Sequence, residues 1–158
     1  MQIRHFYFLN DQYYKDFPDP YLMNNRELIN GKHHDRPCFY AFEDKKTGLF
    51  WMIPLSSNVS KFQKIYDSKV KRSGKCDTIV FGDFLGYKKA FLIQNMCPVI
   101  ECYIRNEYFD YNNKPVRISS LLETELIQKA NKILALQRKG IKLIYPDVLL
   151  IERELLEK

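Results

Sequence analysis

Apolar and polar positions follow two different periods along this chain. IRHFYFLN, residues 3–10, alternates and is rich in aromatics, which predicts a first strand. Asp11 is placed to cap a short helix running to about Phe17. FPDPYLMNNRELINGKHHD, residues 17–35, combines prolines, asparagines and a glycine, and reads as a long, mostly irregular connection. RPCFYAFEDKKTGLFWMIPL predicts a hairpin whose strands are Arg36–Glu43 and Leu49–Leu55, with DKKTG as the turn.

After Leu55 the period changes. Phe62, Ile65, Tyr66 and Val70 recur at helical spacing, so Asn58 to about Arg72 is expected to be an amphipathic helix ended by Ser73-Gly74. DTIVFGDFLGYKKAFLIQNM supplies two more strands joined near Leu85-Gly86, and PVIECYI another. Ser120 and Glu123 have the spacing of a capping box. Behind them Leu122, Leu126, Ala130, Ile133 and Leu134 form an apolar stripe, and Gly140 ends the helix. Pro146 opens a last short helix to Leu156. The fold class is therefore α+β: a five- or six-stranded, strongly curved, barrel-like antiparallel sheet with peripheral helices, in one domain over residues 1–158.

Composition narrows the function classes. Hydrophobic residues make up 46% of the 158, enough for a real core. Arginine and lysine number 25 against 19 acids. A basic surplus of this kind favours anionic partners, nucleic acid first. The N-terminus has no charged segment followed by a long apolar one, so no signal peptide is expected, and no run is long enough to span a bilayer. The four cysteines form no C-x-x-C pair, which fits reduced thiols in the cytoplasm and gives no zinc motif. No cofactor or metal is expected. G-x-G-x-x-G, Walker, H-E-x-x-H and G-x-S-x-G motifs are all missing.

Two polar clusters remain. Between Ser60 and Cys76 lie six cations, Lys61, Lys64, Lys69, Lys71, Arg72 and Lys75, against the single acid Asp67. On a helix, several of them share an arc able to track phosphates. The segment GKHHDRP brings Lys32, His33, His34 and Arg36 to the start of a strand. A tight hairpin sets its two outer ends side by side, so Arg36 is expected beside Ser56-Ser57-Asn58. Together they suit cleavage of RNA through its own 2′-OH. Arg36 and Lys61 would stabilise charge on the phosphorane, Ser56 and Ser57 or helix-start N–H groups would bind a non-bridging oxygen, and His34 or a tyrosine would carry a proton.

These residues also carry a family resemblance. FYFLNDQYYKDF, the hairpin ending in PLSS, and FLIQNMCPVIECYI occur in the order found in ToxN/AbiQ endoribonucleases, toxins of type III toxin–antitoxin systems, and the chain looks closest to the CptN branch. The resemblance implies a curved sheet related to the MazF/Kid barrel and a metal-independent endoribonuclease leaving a 2′,3′-cyclic phosphate and a 5′-hydroxyl. It implies as partner a small repeated RNA, folded as a pseudoknot and held in a closed protein–RNA assembly, with cellular or phage mRNA as substrate. Ser56 and Ser57 fall on the family's Thr/Ser-Ser pair, Arg36 on a basic residue, Tyr13 (or Tyr14, in the other register) on a site tyrosine, and Lys61 on the lysine after the turn, although the spacer NVSK is longer than the family's. Two other readings are open. One is a MazF-like toxin with a protein antitoxin. The other is a non-catalytic RNA-binding barrel; in that reading, as in the endoribonuclease one, Phe39, Tyr40 and Trp51 would stack bases.

Overall fold

The computed structural model, which describes residues 1–158, folds the chain into an antiparallel sheet with helices against its flanks. In chain order the elements are β1 (Phe6–Leu9), α1 (Asp11–Asp16), β2 (Arg26–Ile29), β3 (Lys32–Asp35), β4 (Cys38–Glu43), β5 (Phe50–Ser56), α2 (Val59–Ser73), β6 (Ile79–Phe84), β7 (Tyr87–Leu92), β8 (Cys97–Val99), β9 (Ile104–Glu107), α3 (Ser120–Arg138) and α4 (Val148–Leu156). The main sheet has seven strands in the order β6-β7-β5-β4-β1-β9, with β8 also paired to β5. The class is the α+β expected. The strand number is higher because PVIECYI breaks into β8 and β9, separated by a 3-10 turn at Glu101–Tyr103.

The sheet curves strongly without closing. Phe84 at the end of β6 lies 4.8 Å, ring to ring, from Phe6 on β1, although three strands separate them in the sheet order. Register shifts between Tyr40 and Phe42 and between Phe8 and Leu9 add local bends. The two end strands, β6 and β9, do not pair with one another.

The curved sheet has two apolar faces. One, with Trp51, Ile53 and Phe91, is covered by Leu122, Leu126, Ala130, Ile133 and Leu134, the stripe read from α3. The other holds Tyr13, Met52, Val99 and Tyr103 against Ile151 and Leu155 of α4. Phe39, Tyr40 and Trp51 are all buried, so they serve these cores and offer no base-stacking surface. Trp51 stacks on Phe42, and its indole N–H has no hydrogen-bond partner.

Helix ends follow local chemistry with one-residue differences from the sequence reading. Asn10, not Asp11, caps α1 by accepting from the Tyr13 N–H. Ser119 rather than Ser120 caps α3, and the Glu123 carboxylate turns to Arg117 and Arg4 instead of the cap. Asn58 caps α2, and Gly74 ends it at φ 81°, a left-handed conformation that costs glycine little.

The expected irregular connection contains a β-hairpin. Strands β2 and β3 pair from Arg26 opposite Asp35 to Ile29 opposite Lys32, around Asn30-Gly31 with φ of 50° and 78°. Asn-Gly is the favoured pair for such a two-residue turn. The ribbon lies mostly in solvent, so its strands carry little of the apolar alternation by which buried strands are read.

Two outcomes follow from this packing. Leu126 is fully buried between α3 and the sheet. Leu126→Ala is expected to cost about 2–5 kcal/mol in denaturant unfolding. The second concerns acid. Burial alone would raise the Asp44 carboxyl, but hydrogen bonds from Arg138 and the Lys46 N–H outweigh it and hold the pKa below the ordinary value. Asp35 beside Arg105 and Asp77 beside Lys132 are lowered too. A carboxyl lowered in the folded state stabilises above its unfolded pKa, and that stabilisation is lost as pH falls through the folded value. Thermal midpoints should therefore drop as pH falls from about 5 to about 2, and Asp44→Asn should flatten part of that drop.

Candidate active site

Hairpin geometry brings Arg36 and the end of β5 together as the sequence suggests. Cys38 pairs opposite Pro54, and the Leu55 N–H donates to the Pro37 carbonyl at 3.2 Å. Arg36 then reaches across: its Nη1 donates to the Leu55 carbonyl at 2.6 Å and its Nε to the Asn24 carbonyl at 2.7 Å. The side chain is buried and also lies 3.3 Å from Glu27 Oε2. Arg36 is therefore chiefly a structural clamp. It fixes the end of β5 and the start of the β2–β3 ribbon.

Glu27, which the sequence reading did not single out, is the centre of the site. Its Oε2 accepts from the Ser57 N–H at 3.0 Å, and its Oε1 accepts from the Ser57 hydroxyl at 2.7 Å. Lys89 Nζ donates to the same Ser57 oxygen. Lys89 was also missed. The register between β5 and β7 sets Leu55 opposite Phe91 and Ser56 opposite Ala90, so one further step brings Ser57 to Lys89. Nothing in the sequence alone shows that these two strands pair.

Around Ser57 the backbone is largely satisfied from within. The Asn58 N–H donates to Ser56 Oγ at 3.1 Å, the Val59 N–H to the Ser57 carbonyl at 2.9 Å, and the Lys61 N–H to Asn58 Oδ1 at 3.3 Å. Ser56 is buried and shapes this turn. Ser57, half-buried, is the hydroxyl left at the surface of the site.

Two clefts meet at Glu27. The first, about 340 Å³, is bordered by Glu27, His34 and Lys89, with Phe8, Tyr108 and Phe84 as an aromatic wall. The rings of Phe8 and Tyr108 are 4.9 Å apart, and the Arg105 guanidinium covers Phe8 at 5.0 Å. His34 stands opposite Glu27 in the ribbon, so the two side chains share one face. The second cleft, about 280 Å³, is bordered by Arg26, Arg36, Ser56, Asn58 and Lys61. Lys61 Nζ lies 5.3 Å from the Phe62 ring centroid.

Not every candidate gathers here. Tyr13 is fully buried, and its hydroxyl donates to the Pro98 carbonyl at 2.8 Å. Burial, with Cys97 adding to it, pushes that hydroxyl well above the ordinary phenol range. Tyr13 is a core residue and borders neither cleft. Tyr14, the register alternative, borders a separate shallow hollow with His33 and Arg26. Lys69 turns inward to Thr78 at 2.9 Å and Gln94 at 2.8 Å. Lys75 pairs with Asp77 at 3.6 Å. With Arg72, Lys132 and Lys142, Lys69 and Lys75 border a basic cleft of about 420 Å³ at the far end of α2. Lys64 and Lys71 are exposed on α2, and Lys32 sits at the ribbon tip. No group of three or more His, Cys, Asp or Glu is placed to hold a metal ion, and no helix is long and apolar enough to cross a membrane.

No family model matches the chain, and no curated protein matches it by sequence. Its fold does match a solved structure described by the words "A processed non-coding RNA regulates a bacterial antiviral system". The TM-score is 0.69 with 98% of each chain covered, at 16% sequence identity.

The clamp role of Arg36 has a direct check. Arg36→Lys keeps the charge but loses the forked geometry that serves two carbonyls and a carboxylate at once. Leaving buried acceptors unmet is expected to cost about 1–3 kcal/mol in chemical denaturation, unlike the same exchange at exposed Arg72.

Proposed function

We propose that the chain is a metal-independent, sequence-specific endoribonuclease, the toxin of a type III toxin–antitoxin pair. It cleaves RNA by 2′-OH attack, leaves a 2′,3′-cyclic phosphate and a 5′-OH, and both processes and is held by a small repeated pseudoknot RNA. The observation that carries this reading is the meeting of Ser57, Lys89 and the Glu27–Arg36 pair at the junction of two clefts. One cleft has an aromatic wall and the other a basic one. The fold shared with an antiviral system under RNA control supports it.

The geometry suits a ribose–phosphate linkage. An RNA base stacks on the Phe8–Tyr108 wall, and the backbone passes Ser57. Lys89 and the Ser57 hydroxyl face the non-bridging oxygens, where negative charge grows as phosphorus becomes five-coordinate. Lys61 reaches the neighbouring phosphate from the second cleft. Exposed Lys32, Lys64, Lys71 and Arg72 extend the phosphate track over the ribbon tip and along α2.

Purified protein is expected to cut RNA in the presence of EDTA. Ser57→Ala should slow cleavage about 10²–10³-fold while the protein stays folded. Cells expressing wild type alone should stop growing, and those expressing the variant should not. RNA affinity is expected to fall steeply with salt, and Lys64→Ala with Lys71→Ala should reduce that slope. RNA bound by wild type but never cut would favour the non-catalytic module. A protein rather than an RNA recovered with the chain from its own operon would favour the protein-antitoxin reading.

A further inference from the structure

We infer that Glu27 is the general base and His34 the general acid of this site, an assignment that rests on the RNA-cleavage reading above. The β2–β3 ribbon presents the two directly opposite one another, on one face, at the border of the same cleft.

Their surroundings divide the roles. Glu27 is held by three donors: the Ser57 N–H, the Ser57 hydroxyl and Arg36 Nη1. A carboxylate offers about four acceptor positions, so one on Oε1 remains for a hydroxyl arriving in the cleft. The clamp fixes that oxygen in place. A base that does not have to be oriented at the moment of reaction loses little in reorganisation. His34 is unlike it: exposed, near the rim, with no hydrogen bond to its ring. Imidazole is the side chain suited to giving up a proton near neutral pH.

The step balances without a co-reactant. Glu27 takes the proton from the 2′-OH, and the 2′-oxygen forms its bond to phosphorus. The phosphorus–O5′ bond then breaks, and protonated His34 gives its proton to the departing O5′. No water is consumed, and the products are the cyclic phosphate and the free 5′-hydroxyl. Lys89, held on Ser57, faces the phosphorane.

Several charges bear on the pH dependence. Glu27 faces Arg36 from the start of β4, Lys89 from β7 by way of Ser57, and His34 from β3. Lys61 of α2 borders the second cleft, which Glu27 also lines. Asp35 borders the first cleft and is paired with Arg105 at 2.9 Å. Four cationic or potentially cationic neighbours thus surround the carboxylate.

The test uses single-turnover cleavage by the intact protein across pH, with two substrates. One is an ordinary oligoribonucleotide. The other carries sulfur in place of the bridging 5′-oxygen, a leaving group that departs without a proton. Glu27→Gln is expected to slow both substrates about 10²–10⁴-fold and to abolish the rise of rate with pH that marks a base. Affinity for a 2′-O-methyl RNA is measured alongside, and a loss as large as the loss of rate would overturn the assignment by showing that Glu27 only seats the ribbon. Glu27→Asp should keep that rise at a lower rate. His34→Gln should slow the oxygen substrate at least tenfold, lose the fall of rate at alkaline pH, and leave the sulfur substrate near wild-type speed. The exposed His34 makes that variant informative even if Glu27→Gln does not fold. A wild-type pH profile in Glu27→Gln would overturn the assignment of the base. Equal slowing of both substrates by His34→Gln would overturn that of the acid. Wild type that leaves RNA uncut would instead overturn the reading on which both depend.

Discussion

A single carboxylate joins the parts of this molecule that make up the candidate site. Glu27 sits on a solvent-exposed ribbon, and two-stranded ribbons have little stability of their own. What seats the ribbon is the reach of Glu27 to Ser57 and Arg36, supported by the pairing of Arg26 with Asp11 and Asp35 and by the Arg36 N–H on the Asn25 carbonyl. Breaking a buried, hydrogen-bonded charge pair is costlier than its net contribution suggests, because the remaining partner is left uncompensated. The same contacts therefore set the position of the ribbon, the rotamer of Ser57 and the width of both clefts.

The sheet supplies the precision. β5 lies between β4 and β7 at its C-terminal end, so the turn after it inherits the register of two neighbours. Arg36 arrives from one side and Lys89 from the other. Asn58 then starts α2 in the next step of the chain. A site at the junction of a central strand and a capped helix has little freedom to drift, which is what stabilisation of a charged transition state requires. Strong curvature brings Phe84 and Tyr108 within 5.8 Å and so turns the edge of the sheet into one wall of a cleft.

Much of this was legible in the sequence. The hairpin from Arg36 to Ser56, the start of α2 near Asn58, the stripe of α3 and the turn at Leu85-Gly86 all rest on local signals, and the hairpin alone places Arg36 beside Ser56-Ser57. What was not legible depends on long-range pairing or on exposed strands. Lys89 could be found only from the β5–β7 register. Glu27 was hidden because RELI and KHHD lack apolar alternation, although Asn30-Gly31 was the available sign of a hairpin. Tyr13 was placed at the site through resemblance, whereas the fold gives its ring to the core. Lys69 has the right charge but satisfies Thr78 and Gln94, since helix position alone does not say which lysines face inward.

The sheet that nearly closes on itself leaves each of its two end strands with one unpaired side, and such borders invite neighbouring molecules to add a strand. One is β9, whose sequence IRNE sets Arg105 and Glu107 along that border, the first held by Asp35 and the second by His5. The other is β6, where Leu122 crowds Gly82 so closely that a methyl group there would collide with it. The charges on β9 discourage unwanted association along that border, and the tight contact of Leu122 with Gly82 fixes β6 against α3.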